Sequence, residues 1–420
     1  MGFLSVAAIG VGSMVGAGIF ALLGQAATTA GNGVYASFLI AGVIALLSGI
    51  SYARLAVHLP VNGGIVEYLF QAFPSRFAAR LLSLIYLLTL VVTVSIVAKA
   101  FGKYAARLFF GEDAAASTAN LLAAGVVAVL AVLNLVGDKA VGRAEVALVA
   151  VKLGILVLLM AAGLPGIDPA MLAQGKNVDT LTIVSSVALT FFAYAGFGMM
   201  ANAAANVENP ARTLPRAILA AIGLVIVLYI GLAMVVLGNL PAETLARFAD
   251  TAVAEAAKPV LGQFGFIAVS VGALIATASA INATLFSLLN LGKAVAEKAE
   301  GGLRPALWLF GTSSGFMVLT AIIIFILYAF NLNAIANVAG GAFLMAYLAV
   351  FGAHWRLLPK VGGSRVLILL GAVMMAVVLA VLFGQLWQQQ PSALGLFAVL
   401  LAACAVLAWA MEPFRRAARS

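Results

Sequence analysis

The sequence predicts an all-α membrane protein, on three observations. The chain of 420 residues is 65% hydrophobic. Only 9% of it is charged. Its apolar segments recur from the first residues almost to the last. A soluble domain carries about 25% charged residues, so no soluble core could hide this much apolar surface. A cleaved signal peptide would be followed by a polar mature domain. Here the first apolar stretch is followed by more of the same and is read as a membrane span. Segments of this length cross a bilayer as helices, because membrane strands alternate apolar and polar residues.

Twelve spans are expected, at 4–27, 34–57, 79–104, 119–137, 144–164, 179–205, 214–238, 261–291, 305–330, 333–355, 364–386 and 393–411. Arg54, Arg76, Arg80, Lys139, Arg143, Arg212, Arg216, Lys293, Lys298, Arg304, Arg356, Lys360, Arg365, Arg415, Arg416 and Arg419 fall at one set of ends. Lys103, Arg107, Lys176, Arg247 and Lys258 fall at the other. The basic-rich side is cytoplasmic by the positive-inside rule, which puts both termini inside, in the inner or plasma membrane. No basic residue precedes the first span, which is expected of a shortened start. The net charge of +9 follows from this placement and does not imply nucleic acid. Cys404 is the only cysteine, so no intrachain disulfide or cysteine metal cluster is possible. No cofactor or metal is expected. Of the longer connections, 239–260 reads as a short amphipathic helix over the outer face, and 58–74 reads as dipping partly into the membrane.

Two spans are interrupted by glycine. Residues 11–20, VGSMVGAGIF, place Gly12, Gly16 and Gly18 with Ser13 in the middle of the first span. Each glycine costs about 1 kcal/mol relative to alanine in a helix interior. Residues 191–200, FFAYAGFGMM, place Gly196 and Gly198 in the middle of the sixth. Gly12 and Gly16 alone would fit close helix packing. Two interruptions at matching positions of two halves fit broken helices instead, the pattern that marks a transporter binding site. A broken helix frees N–H and C=O groups that lipid cannot satisfy, so the break must border a polar cavity. The half-helix N-terminus suits an anion and the freed carbonyls suit a cation. A zwitterionic amino acid presents both.

GVGSMVGAGIFALLG resembles the first-helix signature of the amino acid–polyamine–organocation superfamily. FFAYAGFGMMANAAANVENPARTLPRAI (191–218) resembles its sixth helix and following turn, and INATLFSLLNLGKAVAE (281–297) its eighth helix. The run from Pro60 to Leu69 fits as well. The resemblance implies a LeuT-like fold: two inverted five-helix repeats, about 1–164 and 179–355, plus two peripheral helices at about 364–411, in one transporter domain. By the same resemblance, the segment Met14, Val15, Gly16, Ala17 and Gly18 holds the substrate. Amides at Ala17 and Gly18 take its carboxylate; carbonyls at Met14 and Val15 face its amine. Phe192 and Ala195 supply further carbonyls, and Phe197 covers the side-chain pocket and gates it from outside. Many relatives have Ser at the position of Ala17 and a second acidic residue before the Asn-Pro turn, where this chain has Asn206 and Val207 ahead of Glu208.

Lys152 stands mid-span in VALVAVKLGILVLLM. An ammonium there is costly, and intramembrane ionisable groups are functional candidates by default. A fifth-helix lysine replaces the bound cation of sodium-coupled relatives in the branch this chain resembles. Ser13, Thr277 and Ser279 are its expected partners. A titrating Lys152 would couple transport to protons; a permanently charged one would be a structural tie, as suits an exchanger. Lys99 is read as snorkelling to the outer interface, and His58 and His354 as anchored or simply solvated at cytoplasmic ends.

No carboxylate lies deep in a span, which argues against polyamines, and no free arginine points into one, which argues against acidic substrates. A lining of Met, Phe, Ala, Gly, Asn282 and Asn337 suits neutral amino acids. The spans bring together no nucleophile, base or metal ligands for an enzyme, and lack the continuous polar lining of a channel. The reading is a sodium-independent, proton-coupled permease for neutral amino acids working by alternating access, for which a monomer suffices. An exchanger and a non-transporting amino-acid sensor remain alternatives.

Overall fold

The computed structural model describes residues 1–59, 64–136, 141–173, 179–202, 204, 207–297 and 304–411. Pro60, Lys139, Lys176, Asn206, Lys298, Arg415, Arg416 and Arg419 lie outside the described residues. The first span is two helices, α1 (Phe3–Ala17) and α2 (Ile19–Ala30), which meet at Gly18. There follow α3 (Val34–His58), α4 (Gly64–Ala72), α5 (Arg76–Phe110), α6 (Ala116–Val136), α7 (Val141–Gly163) and the short α8 (Pro169–Ala173). The sixth span is α9 (Thr180–Tyr194), a 3-10 turn at Ala195–Phe197, and α10 (Gly198–Asn202). Then come α11 (Pro210–Asn239), α12 (Ala242–Arg247), α13 (Ala252–Glu255) and α14 (Lys258–Glu297). The chain ends with α15 (Arg304–Gly311), α16 (Ser313–Ala329), α17 (Leu332–Val361), α18 (Arg365–Gln389) and α19 (Pro391–Ala410).

Helix occupies each of the twelve expected segments, and no described residue is in a strand. Among the described residues, ten helical stretches are long and apolar enough to cross a bilayer. The first and ninth segments are divided, leaving shorter apolar pieces at Phe3–Gly16 and Ser313–Ala329. The boundaries have local causes. Asp179, Thr312 and Asn331 cap α9, α16 and α17, accepting from the amides of Leu181, Gly315 and Ala334. Asn209 takes a left-handed conformation (φ 47°), which asparagine tolerates, and Pro210 opens α11 behind it.

The most buried spans are α5 and α17, which pack on each other, and α5 packs on α14 as well. α1 lies among α7, α11 and α14, and α9 among α3, α17 and α18. α6, α7, α18 and α19 keep most of their surface outside the bundle, as suits lipid-facing helices. α4 buries Ile65, Val66, Tyr68 and Leu69 against α5 and α17.

Two expectations change, the first of them in part. The 239–260 connection lies over the surface only in its first part: α12 is mostly exposed, with Leu245 turned inward, while the turn after it and α13 wedge into the bundle, with Thr251, Val253, Ala254 and Ala256 buried. Gly24 of α2 seats directly on the Ala249 carbonyl, a contact no side chain would permit. Lys99 does not snorkel. It is buried, and its ammonium donates to the carbonyls of Leu327 (2.8 Å) and Phe330 at the end of α16, where a cation satisfies orphan acceptors and the helix dipole. His354 is buried too. Its Nε2–H donates to the Gly362 carbonyl (3.0 Å), which leaves Nδ1 to accept from the Ser51 hydroxyl (3.0 Å).

The wedged connection is held by charge. Buried Glu255 accepts from Arg107 Nε and from Lys258, each at 2.7 Å. Asp250 accepts from Gln25 (2.7 Å) and pairs with Lys103 (3.1 Å). Arg107 also lies 4.8 Å from the Phe248 ring centre. Exposed Glu112 receives a second bond from Arg107 (2.7 Å), which holds its carboxyl below the usual carboxylate range. That bond is complete at neutral pH and is lost as pH falls through the lowered value. Removing the buried carboxylate takes from Arg107 and Lys258 their inward partner and leaves them only the exposed Glu112, a loss of up to about 3 kcal/mol. Glu255→Ala is therefore expected to lower the thermal midpoint in detergent by several degrees, whereas Glu112→Ala changes it little. Equal midpoints would show that the buried cluster does not anchor the connection.

Candidate functional site

The two broken helices cross backbone to backbone. A Cβ on Gly18 would stand 2.5 Å from the Ala193 Cα and 2.6 Å from its carbonyl oxygen. Reciprocally, a Cβ on Gly196 would stand 2.6 Å from the Met14 nitrogen and from the Ser13 carbonyl carbon. Each break therefore carries the glycine that lets the other approach. Gly16 is pressed in the same way onto α14, 2.9 Å from the Ala276 oxygen.

The freed carbonyls of the sixth span are taken by tyrosines. Tyr229 of α11 donates to Ala193 (3.1 Å), and Tyr347 of α17 donates to Ala195 (2.6 Å). The Ala195 amide donates to Phe192, and the Gly18 amide to Met14 (3.0 Å). In this conformation several backbone groups expected to meet a substrate are thus bonded within the protein.

Beside the crossing lies a cavity of about 40 Å³, lined by Ser13 of α1, Phe192, Ala195, Gly196 and Met199 of the sixth span, Tyr86, Leu90 and Thr93 of α5, Ala280, Ala283 and Thr284 of α14, and Phe343 of α17. It has room for a few waters. Its wall carries no charged side chain among the described residues. The Thr93 and Thr284 hydroxyls donate to carbonyls of their own helices, Thr89 and Ala280. Phe192 and Phe343 meet edge to face at 5.4 Å across it.

The structure brings Ser13, Phe192 and Ala195 to this cavity and buries Met14 and Val15 beside it. Phe197 is not on its wall. It packs against Tyr52 (5.7 Å) and Tyr347 (5.1 Å), with Tyr68 behind Tyr52. Tyr52 is two residues from Arg54, so Phe197 stands toward the basic-rich end, opposite to the outer position expected. Asn282 and Asn337 also leave the cavity: Asn282 accepts from Asn134 of α6 (2.8 Å), and Asn337 donates to Asn333 and Gln390 (3.1 Å each). The contributions of α5 and α17 were missed. Thr89 and Thr93, one turn apart in an apolar span, are the signal that could have found the first; Phe343 has none.

Lys152 is buried on α7, which packs between α1, α11 and α14. Ile155 abuts Gly272 of α14, and Gly16 abuts Ala276 one turn further along. Lys152, one turn from Ile155, lies at the level where the three helices converge. The Thr277 hydroxyl there donates within its own helix, to Ala273 (2.6 Å) and Leu274 (3.2 Å).

Membrane-spanning helices, two of them broken and interlocked around a small central cavity, define a membrane permease, and the architecture fits the expected LeuT-like fold. Residues 1–384 match the family model described as amino acid permease, and the chain belongs to that family. It is 41% identical over 396 residues to the inner membrane transport protein YbaT of Escherichia coli, covering 94% of this chain and 92% of the relative. It is 27% identical over 321 residues to a methylthioribose transporter of Bacillus subtilis, covering 71% and 67%. It is also 27% identical over 256 residues to the branched-chain amino acid permease BcaP of Bacillus subtilis, covering 57% and 55%.

The interlock gives a direct test. Gly196→Ala drives a methyl into the α1 backbone, and overpacking of this kind costs about 1–3 kcal/mol. It is expected to lower the thermal midpoint and the yield of folded protein. Gly125→Ala, in open space on α6, is expected to keep or slightly raise both. Two variants of equal stability would contradict the interlock.

Proposed function

We propose that this permease carries neutral amino acids across the cell membrane, independently of sodium and coupled to protons, by alternating access around the crossing of its broken helices. One observation carries the substrate reading: an uncharged, largely apolar wall stands beside two stretches of interrupted backbone. The backbone suits a zwitterion, and the wall suits a side chain without charge. The relative named for branched-chain amino acids supports such a pocket.

In this reading the carbonyls of Met14, Val15, Phe192 and Ala195 take the ammonium, and the amides of Ala17 and Gly18 take the carboxylate. Gly16 keeps α1 close to α14. The Gly18–Met14 bond opens as the cavity widens to substrate size. The halves at about 1–164 and 179–355 act as inverted repeats of a single transporter domain, with both termini cytoplasmic. Phe197, Tyr52 and Tyr347 then close the cytoplasmic side. Lys152, with Ser13, Thr277 and Ser279 as partners, carries the coupling proton: charged, it ties α7 to α1 and α14, and neutral, it releases them.

The test is uptake into sodium-free proteoliposomes of a panel of labelled amino acids, with methylthioribose included because one relative is named for it. An inward proton gradient is expected to drive accumulation of neutral members. Uptake only into vesicles preloaded with amino acid would make the protein an exchanger. Binding without uptake would make it a sensor. Lys152→Ala is expected to abolish the pH dependence while retaining substrate binding; a variant that kept the wild-type pH profile would remove the lysine from the coupling step.

A further inference from the structure

Tyr347 lies between the cavity and the aromatic cluster that closes the basic-rich end. Its hydroxyl donates to the Ala195 carbonyl at 2.6 Å. A Cβ on Gly198 would stand 2.9 Å from the same hydroxyl, so the oxygen rests on backbone at both sides of the 3-10 turn. Its ring touches Phe197 at 5.1 Å, Tyr52 at 5.3 Å and Phe191 at 5.5 Å. One turn up α17, Phe343 lies 6.0 Å from Tyr347 and faces Phe192 across the cavity. One side chain therefore touches the acceptor at the cavity and the packing that shuts it.

We propose that Tyr347 is a positioning residue that couples occupation of the cavity to release of the aromatic barrier beside it: its hydroxyl holds the Ala195 carbonyl until a substrate ammonium claims it. The inference rests on the amino-acid reading above. A carbonyl freed by a helix break in an apolar interior needs a donor at all times. Tyr347 supplies a neutral one. An ammonium entering the cavity brings three N–H groups that need acceptors in the same dry place, and a charge-assisted bond outcompetes a neutral one. Once displaced, the hydroxyl no longer anchors the ring against the turn. That ring is a wall of the Phe197–Tyr52 stack, so the event that fills the cavity loosens the barrier beneath it. The amine, and not the side chain, is the part of the substrate that is sensed.

The competition predicts a gain of affinity on removing the hydroxyl. Equilibrium binding of tritiated L-leucine and L-alanine is measured on the purified full chain and on Tyr347→Phe, which keeps the ring. The variant is expected to bind roughly three- to tenfold more tightly, because the ammonium no longer displaces a hydrogen bond. In proteoliposomes its KM falls and its maximal rate falls with it, since the ring has no tether to release. Isocaproate, which is leucine without the amine, is expected to compete equally with both proteins. Tyr347→Met also lacks the hydroxyl and replaces the Phe variant if that one does not fold. Unchanged or weaker leucine and alanine binding by the hydroxyl-free protein would overturn the competition, since the carbonyl would then accept both donors or need the tyrosine to be placed. A wild-type chain that binds neither amino acid would overturn the substrate reading itself, a separate result.

Discussion

Two interrupted helices touching through their backbones are the constraint from which the rest of this structure follows. Gly18 faces Ala193, and Gly196 faces Ser13 and Met14, at distances that exclude any side chain at either glycine. The contact interrupts both helices at the same depth, and in a membrane any carbonyl freed by such an interruption must find a donor within the protein. Tyr229 and Tyr347 are those donors for Ala193 and Ala195. α11 and α17, which carry them, are thereby fixed against the sixth span. The cavity lies at the same place because neither helix can fill the space beside its own break.

Polar groups elsewhere obey the same accounting. Lys99 closes the end of α16 with its charge, His354 joins α3 to the turn after α17, and Asn134 with Asn282 joins α6 to α14. Each bond links two elements that are distant in sequence, so groups that cannot be left unsatisfied in lipid become the registers of the bundle. The buried carboxylate of Glu255 does this at the end opposite the basic-rich one, where the connection between α11 and α14 folds inward and Arg107 and Lys258 meet it.

What was legible in the sequence is what one chain segment decides alone. Apolar length located the helices, and glycine inside apolar length located both breaks, because glycine there is costly unless the backbone must be bare. What was hidden depends on which neighbour arrives. The family resemblance implies that Phe197 covers the pocket, yet the turn at Ala195–Phe197 swings it toward Tyr52. Lys99 stands within reach of an interface and has no local sign that the carbonyls of Leu327 and Phe330 end beside it. Asn282 and Asn337 are polar residues in apolar spans, and composition does not distinguish an asparagine that faces a cavity from one that faces another asparagine. Phe343 is a phenylalanine among many, marked only by the Phe192 ring opposite.

The Gly18 amide rests on the Met14 carbonyl, the Ala195 amide on Phe192, and the Tyr347 hydroxyl on Ala195. A site built in this way does not need to hold naked charges or orphan amides while it changes shape. Such groups cost several kcal/mol each in a dry interior, and a carrier that exposed them in every cycle would meet that cost as a barrier. With internal partners at hand, a substrate exchanges one hydrogen bond for another, so the net free energy of each exchange is small and its direction is set by charge. A zwitterion gains on both ends of that exchange, because its ammonium and carboxylate form stronger bonds than the neutral groups they replace. A side chain adds to this only what it gains from Leu90, Met199, Phe192 and Phe343. On the proposed reading, recognition of the amino-acid backbone and discrimination among side chains fall to different parts of the cavity: the former to main chain at the two helix breaks, the latter to residues of four helices that meet at the crossing.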